Sequence, residues 1–179
     1  MSCANNINLK GLVNDCLGSK GGIVEIYLTN YQEDTYVIDE DTKMAKVADG
    51  KSVGEWYKYY VRPNSSNLTQ TLTVAPESGV SYVTSTLNLV FGRMNPVKRA
   101  EMEAIQMTDL SFMVKDANGY YWFGGIGQGA YNSNGTGDSG TNKTDGSKYT
   151  AEITVEEDTY LPCAGDELVQ AIKEATVNK

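Results

Sequence analysis

The dipeptide Asn118-Gly119, set between two apolar runs at residues 110–117 and 120–124, constrains this chain more than any other feature. A type I′ hairpin turn needs positive φ at two successive positions, and Asn-Gly meets that demand at the least steric cost. A two-residue loop here predicts an antiparallel hairpin with Val114 opposite Phe123 and Lys115 opposite Trp122. The first pair is expected in the core. The second is expected as a cation–aromatic contact on the outer face, worth about 0.5–1 kcal/mol if exposed.

Other short runs carry the same signature. Residues 22–29 (Gly-Ile-Val-Glu-Ile-Tyr-Leu-Thr) form a β-branched run bounded by glycines and Asn30. Residues 8–20 before it suit either a short strand or an extended arm. In 68–74, Leu68, Gln70, Leu72 and Val74 alternate with three threonines, and in 80–91, Val83, Leu87, Leu89 and Phe91 share one face. With a turn at 76–79 these two runs predict a second hairpin. Residues 55–62 would place Tyr57, Tyr59 and Val61 on one face and Trp56, Lys58, Tyr60 and Arg62 on the other, so both faces invite cover. Tyr149, Ala151, Ile153 and Val155 alternate along 149–155.

Two segments read as helices. Asn95 is a favourable N-cap with Pro96 at the first helical position, and Val97, Ala100, Ala104 and Met107, widened by Ile105, form the expected core face. Lys98, Arg99, Glu101 and Glu103 are expected toward solvent. Near the end, 166–175 sets Leu168, Ala171, Ile172 and Ala175 at helical spacing behind an Asp cap, too short to hold without a docking surface. Between these elements lie two polar stretches, 31–54 with a short strand at 35–38, and the Gly/Asn/Ser/Thr-rich 124–148; both read as long loops or assembly arms. The chain is expected to be one domain over 1–179, with 162–179 as a C-terminal extension.

The chemistry is sparse. No histidine occurs, which removes the commonest general base, its nucleophile pairs and the commonest metal ligand. Three cysteines, Cys3, Cys16 and Cys163, have neither disulfide-framework nor zinc spacing and read as reduced thiols. The acidic pairs Asp39-Glu40 and Glu156-Glu157 read as solvated surface rather than catalytic carboxylates. Gly125-Ile126-Gly127-Gln128-Gly129 follows a strand but lacks the phosphate-loop spacing and opens no helix. Asp138, Asn142 and Asp145 do not match a calcium loop. No catalytic, cofactor or metal site is expected. The sequon-like triplets at Asn64, Asn67, Asn134 and Asn142 read as loop composition, because residues 1–12 lack a continuous apolar stretch, and folding in a cytosol without a membrane span is expected. Fifteen basic against 23 acidic residues give a net charge of −8, which disfavours binding along a nucleic-acid backbone; on charge alone it reads first as plain solubility, and it is also compatible with lining a passage where DNA must not stick. The interleaved Trp56-Tyr57-Lys58-Tyr59-Tyr60 accordingly reads as a half-buried strand rather than a single-strand binder.

From residue 68 onward the order is hairpin, capped helix at Asn95-Pro96, hairpin at 115–123, Gly-rich loop, then Tyr149-Thr-Ala-Glu-Ile-Thr-Val-Glu-Glu. Together with Asp116-Ala-Asn-Gly-Tyr-Tyr-Trp-Phe-Gly and Cys16-Leu-Gly-Ser-Lys-Gly-Gly-Ile-Val-Glu-Ile-Tyr, this resembles the tail tube proteins of phages and prophages of gut Bacteroidetes, over about two-thirds of the chain. The resemblance implies a mainly β fold, an antiparallel β-sandwich or barrel with one flanking α-helix and a short C-terminal helix. It further implies a virion protein, assembled in the bacterial cytoplasm, whose six copies close into a ring. Rings would stack into a tail tube, meeting other virion proteins and passing double-stranded DNA without holding it. Candidate contacts between copies are then Trp56, Tyr57, Tyr59 and Tyr60 on the aromatic strand, Val97 and Ala104 on the helix, and Trp122 and Tyr131. Segments 31–54 and 162–179 fall outside the resemblance and leave open a connector ring. Without the resemblance, a capsid-decoration or carbohydrate-binding β-sandwich is the alternative.

Overall fold

A computed structural model describes residues 11–12, 18–62 and 64–177. Cys3, Cys16 and most of the arm expected at 8–20 lie outside these. In chain order the elements are β1 (Ile23–Asn30), β2 (Tyr36–Ile38), β3 (Ala45–Val47), β4 (Trp56–Tyr59), β5 (Asn67–Ala75), β6 (Val80–Gly92), α1 (Pro96–Met107), β7 (Leu110–Asp116), β8 (Tyr121–Gly124), β9 (Tyr131–Asp138), β10 (Lys148–Glu157), α2 (Asp166–Glu174) and β11 (Thr176–Val177). They build a five-stranded sheet in the order β11-β4-β1-β7-β8, a four-stranded sheet β5-β6-β10-β9 and a small β2-β3 ladder. Every pairing is antiparallel except that of β11 with β4. The fold is mainly β with two helices, and both larger sheets are open rather than closed into a barrel within the chain.

The two large sheets face each other across the main core. Ile26 and Leu28 of β1, Phe112 and Val114 of β7, Leu87 and Leu89 of β6, and Ile153 and Val155 of β10 are all buried there. The alternation anticipated for β6 and β10 holds, with Ser85 also inward and Thr154 the one outward β10 residue that is buried. The five-stranded sheet is covered on its second face too. Tyr27, Trp56, Met113 and Phe123 pack there against Tyr36 and Ala45 of the β2-β3 ladder and against Leu168, Val169 and Ile172 of α2. Both faces of the aromatic strand are therefore occupied, as its pattern suggested.

Four expectations are corrected. In the β7–β8 hairpin the register is Val114↔Trp122, Lys115↔Tyr121 and Met113↔Phe123. Of the Asn-Gly pair only Gly119 takes positive φ, 98°, while Gly119 N–H donates to Asp116 O at 3.1 Å and Asp116 N–H to Tyr120 O at 2.9 Å. That is a three-residue loop with a glycine bulge rather than a type I′ turn, and the one-residue slip exchanges the partners across the ladder. The cation–aromatic contact forms instead between Lys115 and Tyr121, 5.4 Å from ring centre to Nζ.

The α1 helix starts as anticipated, Asn95 Oδ1 accepting Lys98 N–H at 2.7 Å, but it is rotated. Ile105 and Met102 face the core, and the expected core stripe Val97, Ala100, Ala104 and Met107 faces solvent. Lys98 is correspondingly half-buried, its Nζ donating to Gly92 O. The polar stretch 124–148 is not all loop, because it holds β9, laddered to β10 from Lys148↔Asp138 to Thr154↔Tyr131. Finally, within 31–54, expected as a long loop or assembly arm, Tyr36 and Ala45 are buried, and within 162–177, expected as a C-terminal extension, α2 lies on the five-stranded sheet, capped by Gly165 rather than by the Asp166 side chain.

Candidate assembly surface

Among the described residues, the four-stranded sheet leaves two strands with one partner each, β5 on one side and β9 on the other. Their open edges can be assigned amide by amide. Arg93 N–H donates to Ser147 O at 2.6 Å, continuing the β6–β10 ladder, so odd-numbered backbone groups of β6 point to β10 and even-numbered ones to β5. Across the Leu68↔Leu87 to Ala75↔Val80 register, the amides of Gln70, Leu72 and Val74 then point to the open side. On β9, Thr136 N–H turns inward to Thr150 Oγ1 at 3.2 Å, so the amides of Gly135 and Gly137 point outward. Gly137 is glycine for a steric reason as well, since a Cβ there would lie 2.9 Å from the Tyr149 ring.

The solvent face of this sheet is hydroxyl-rich. Thr69, Thr71 and Thr73 of β5, Thr84 and Thr86 of β6, Thr150 of β10 and Thr136 of β9 occupy alternate positions on it, with Thr154 of β10 buried in the same row. Thr136 and Thr150 share a hydrogen bond of 2.6 Å, and Ser133 and Thr154 one of 2.8 Å. Its charges are Glu152, Glu156, Asp138 and Lys148, and Lys148 stands directly opposite Asp138 in the register.

Beyond Glu157↔Val83, the last β6–β10 pair, no third strand among the described residues accompanies the β5–β6 hairpin; Val74 and Val80 are exposed there, and Leu72 is exposed at the level of Val83. After the other end of β6 comes α1, on which Val97 and Met107 are 79% and 85% exposed.

Four of the eight candidate contact residues, Tyr60, Val97, Ala104 and Tyr131, are exposed. Tyr57 is half-buried, its hydroxyl donating to Glu55 Oε2 at 3.1 Å. Trp56 is fully buried, its Nε1 donating to Val53 O at 2.9 Å, so it holds the second core and touches no neighbour. Tyr59 and Trp122 line the margin of the main core, Tyr59 donating to Glu101 of α1 and Trp122 Nε1 to Asp116 Oδ2 at 3.2 Å. The aromatic strand is thus mainly a core element. Sequence reasoning missed the two open edges, whose signal lies in the unbroken Thr alternation of 69–73 and in the strand-poor β9.

The glycine loop 125–129 has an occupant of its own. The Glu157 carboxylate accepts Ile126 N–H at 2.9 Å, and the amides of Gly127 and Gly125 also favour its charged form. Burial pushes this carboxyl above its ordinary value, and the three amides oppose that push. Gly125, at φ 83°, has no room for a side chain, since a Cβ would meet Leu110 O at 2.6 Å. Asp138 and Asp145 likewise serve their own loop, accepting Gly140 N–H at 2.9 Å and Asn142 N–H at 2.8 Å. Among the described residues no three His, Cys, Asp or Glu side chains gather as metal ligands, and no helix is long and apolar enough to cross a membrane. Cys163 is free and half-buried, and burial raises its thiol.

No protein-family model matches the chain. No curated protein matches it in sequence.

Proposed function

We propose that this chain is a self-assembling ring protein of a phage tail tube, and that its four-stranded sheet joins copy to copy and lines the passage. One observation carries the reading: a sheet with two long open edges that run in opposite directions. An alternating sheet of four strands places β5 and β9 antiparallel to each other. In a cyclic ring every copy points the same way along the axis, so β9 of one copy meets β5 of the next as an antiparallel pair. The edges match in length, eight and nine residues, and their union satisfies backbone groups that would otherwise invite uncontrolled pairing.

Six copies, the number the tail-tube resemblance implies, would close about 24 strands, a barrel wider than porins and roomy enough for a DNA duplex. The face directed into it carries threonines and carboxylates with a single lysine beside an aspartate. Such a lining offers little to hold a phosphate backbone, since affinity for DNA comes largely from cations that neutralise it. The protein would then reside in the virion tail, with other virion proteins at the ends of the tube.

Negative-stain electron microscopy of the purified protein across a concentration series tests this. Rings that stack into tubes are expected; rings that remain single would make the chain a connector. A strict monomer at high concentration overturns the reading. Leu72→Pro removes an amide that points to the open edge and spares the β6 ladder, so it is expected to abolish rings while circular dichroism stays unchanged. Val74→Pro, nearer the hairpin tip, provides the same test if Leu72→Pro perturbs the monomer.

A further inference from the structure

Cations converge on one place outside that sheet, on the face of the five-stranded sheet that carries α2. Glu25, Lys115 and Tyr121 are neighbours in one row across β1, β7 and β8. Lys58 lies in the next row beside Tyr27, and Lys173 reaches down from the last turn of α2. Lys115 and Lys173 both lie against the Tyr121 ring, their Nζ atoms 5.4 and 4.8 Å from its centre. Lys58 sits 5.4 Å from the Tyr27 ring and 5.6 Å from that of Tyr60, which is 77% exposed.

Among the described residues, one of these three ammonium groups, that of Lys58, has a carboxylate partner. Glu25 Oε2 accepts the Tyr27 hydroxyl at 2.8 Å and lies 3.9 Å from Lys58 Nζ. Lys115 and Lys173 form no salt bridge among the described residues. The Tyr121 hydroxyl is buried and, among the described residues, without a hydrogen-bond partner. A locally positive, aromatic ledge on a chain of net charge −8 is a concentration of unspent charge.

We propose that this ledge docks an acidic segment of a partner protein, whose carboxylates bridge Lys115 and Lys173 and reach Lys58 while its side-chain stems lie on the tyrosine rings. Two ammonium groups on one ring repel each other, and a carboxylate between them turns that repulsion into attraction. The ledge gathers three lysines on a chain of net charge −8. A nucleic-acid duplex, charged every 1.7 Å or so along its axis, would outrun three lysines, whereas a short carboxylate-bearing peptide would not. The ledge also lies on the far side of the molecule from the four-stranded sheet, so under the ring reading it looks away from neighbouring copies; the charge argument stands without that reading.

The test uses the intact protein and a synthetic hexaglutamate peptide, with hexaglutamine and a short DNA duplex alongside. Calorimetric binding of hexaglutamate is expected to weaken with added salt and to fall about tenfold in the Lys115→Gln/Lys173→Gln double variant. Lys115→Arg/Lys173→Arg is expected to retain it. Equal binding by wild type and the glutamine variant, equal binding of hexaglutamine, or tighter binding of the duplex would overturn the proposal. If the glutamine variant instead loses self-association without any peptide binding, a second copy is the occupant and the proposal is likewise overturned. Ring formation is read separately by microscopy, so failure here leaves the assembly reading standing, and the reverse.

Discussion

Trp56 shows how the same residue reads differently alone and in place. Its setting among tyrosines and lysines suggested a contact surface, yet the indole is sealed between Tyr36 and Phe123, with ring centres at 6.0 and 5.8 Å. Trp56→Ala should therefore cost about 3–5 kcal/mol in urea unfolding, the range for emptying an aromatic core site. Tyr60→Ala, four residues on and mostly exposed, should stay within about 0.5 kcal/mol. Glu157 makes a second residue-scale prediction. Burial holds its carboxyl above the ordinary 4.5, so its contribution to stability is fully present below that pH and is lost as pH rises through the raised native value. Glu157→Gln keeps an acceptor for Ile126 N–H without the buried charge. Its stability relative to wild type should thus rise between pH 4.5 and 7, and a difference that stays flat or falls would contradict this account. Asp145 acts in the opposite sense: the Asn142 and Thr141 amides hold it below 3.8, so its contribution is present above that value and is lost as pH falls through the lowered one.

At the scale of elements, local signals fixed ends better than faces. Asn95-Pro96 opens α1 in sequence and in structure, and Asn95→Ala should cost about 1 kcal/mol in thermal or urea unfolding, through the lost bond to Lys98 N–H. Which side of α1 meets the core was not legible. Two stripes of similar apolarity wind around it, and the sheets select the one bearing Met102 and Ile105. The β9 segment, Tyr-Asn-Ser-Asn-Gly-Thr-Gly-Asp, has little strand propensity; its ladder to β10 supplies what its side chains do not. For α2 the apolar spacing was readable, but a nine-residue helix holds only because the five-stranded sheet offers Met113 and Phe123 beneath it.

Across the whole molecule, charge and exposed backbone are unevenly shared. One large sheet is buried on both faces, and the other keeps a polar face and two open edges. That asymmetry separates two surfaces: the edges and threonine face invoked for ring closure, and the lysine–tyrosine ledge on the α2 side. The microscopy and calorimetry described above test them independently, because Leu72 lies on β5 and Lys115 on β7, in different sheets.

The sequence alone determined the strand-rich class, the positions of β1, β5, β6, β7 and β10, the capped start of α1, and the inward residues of β6 and β10. Each follows from period-two alternation, turn residues or a cap, which act over a few neighbours. The tertiary structure alone decided the rotation of α1, the recruitment of β9, the burial of Trp56 and Tyr36, and the gathering of Lys58, Lys115 and Lys173 on one ledge. These depend on which surface arrives from a distant part of the chain, and no local pattern carries that information.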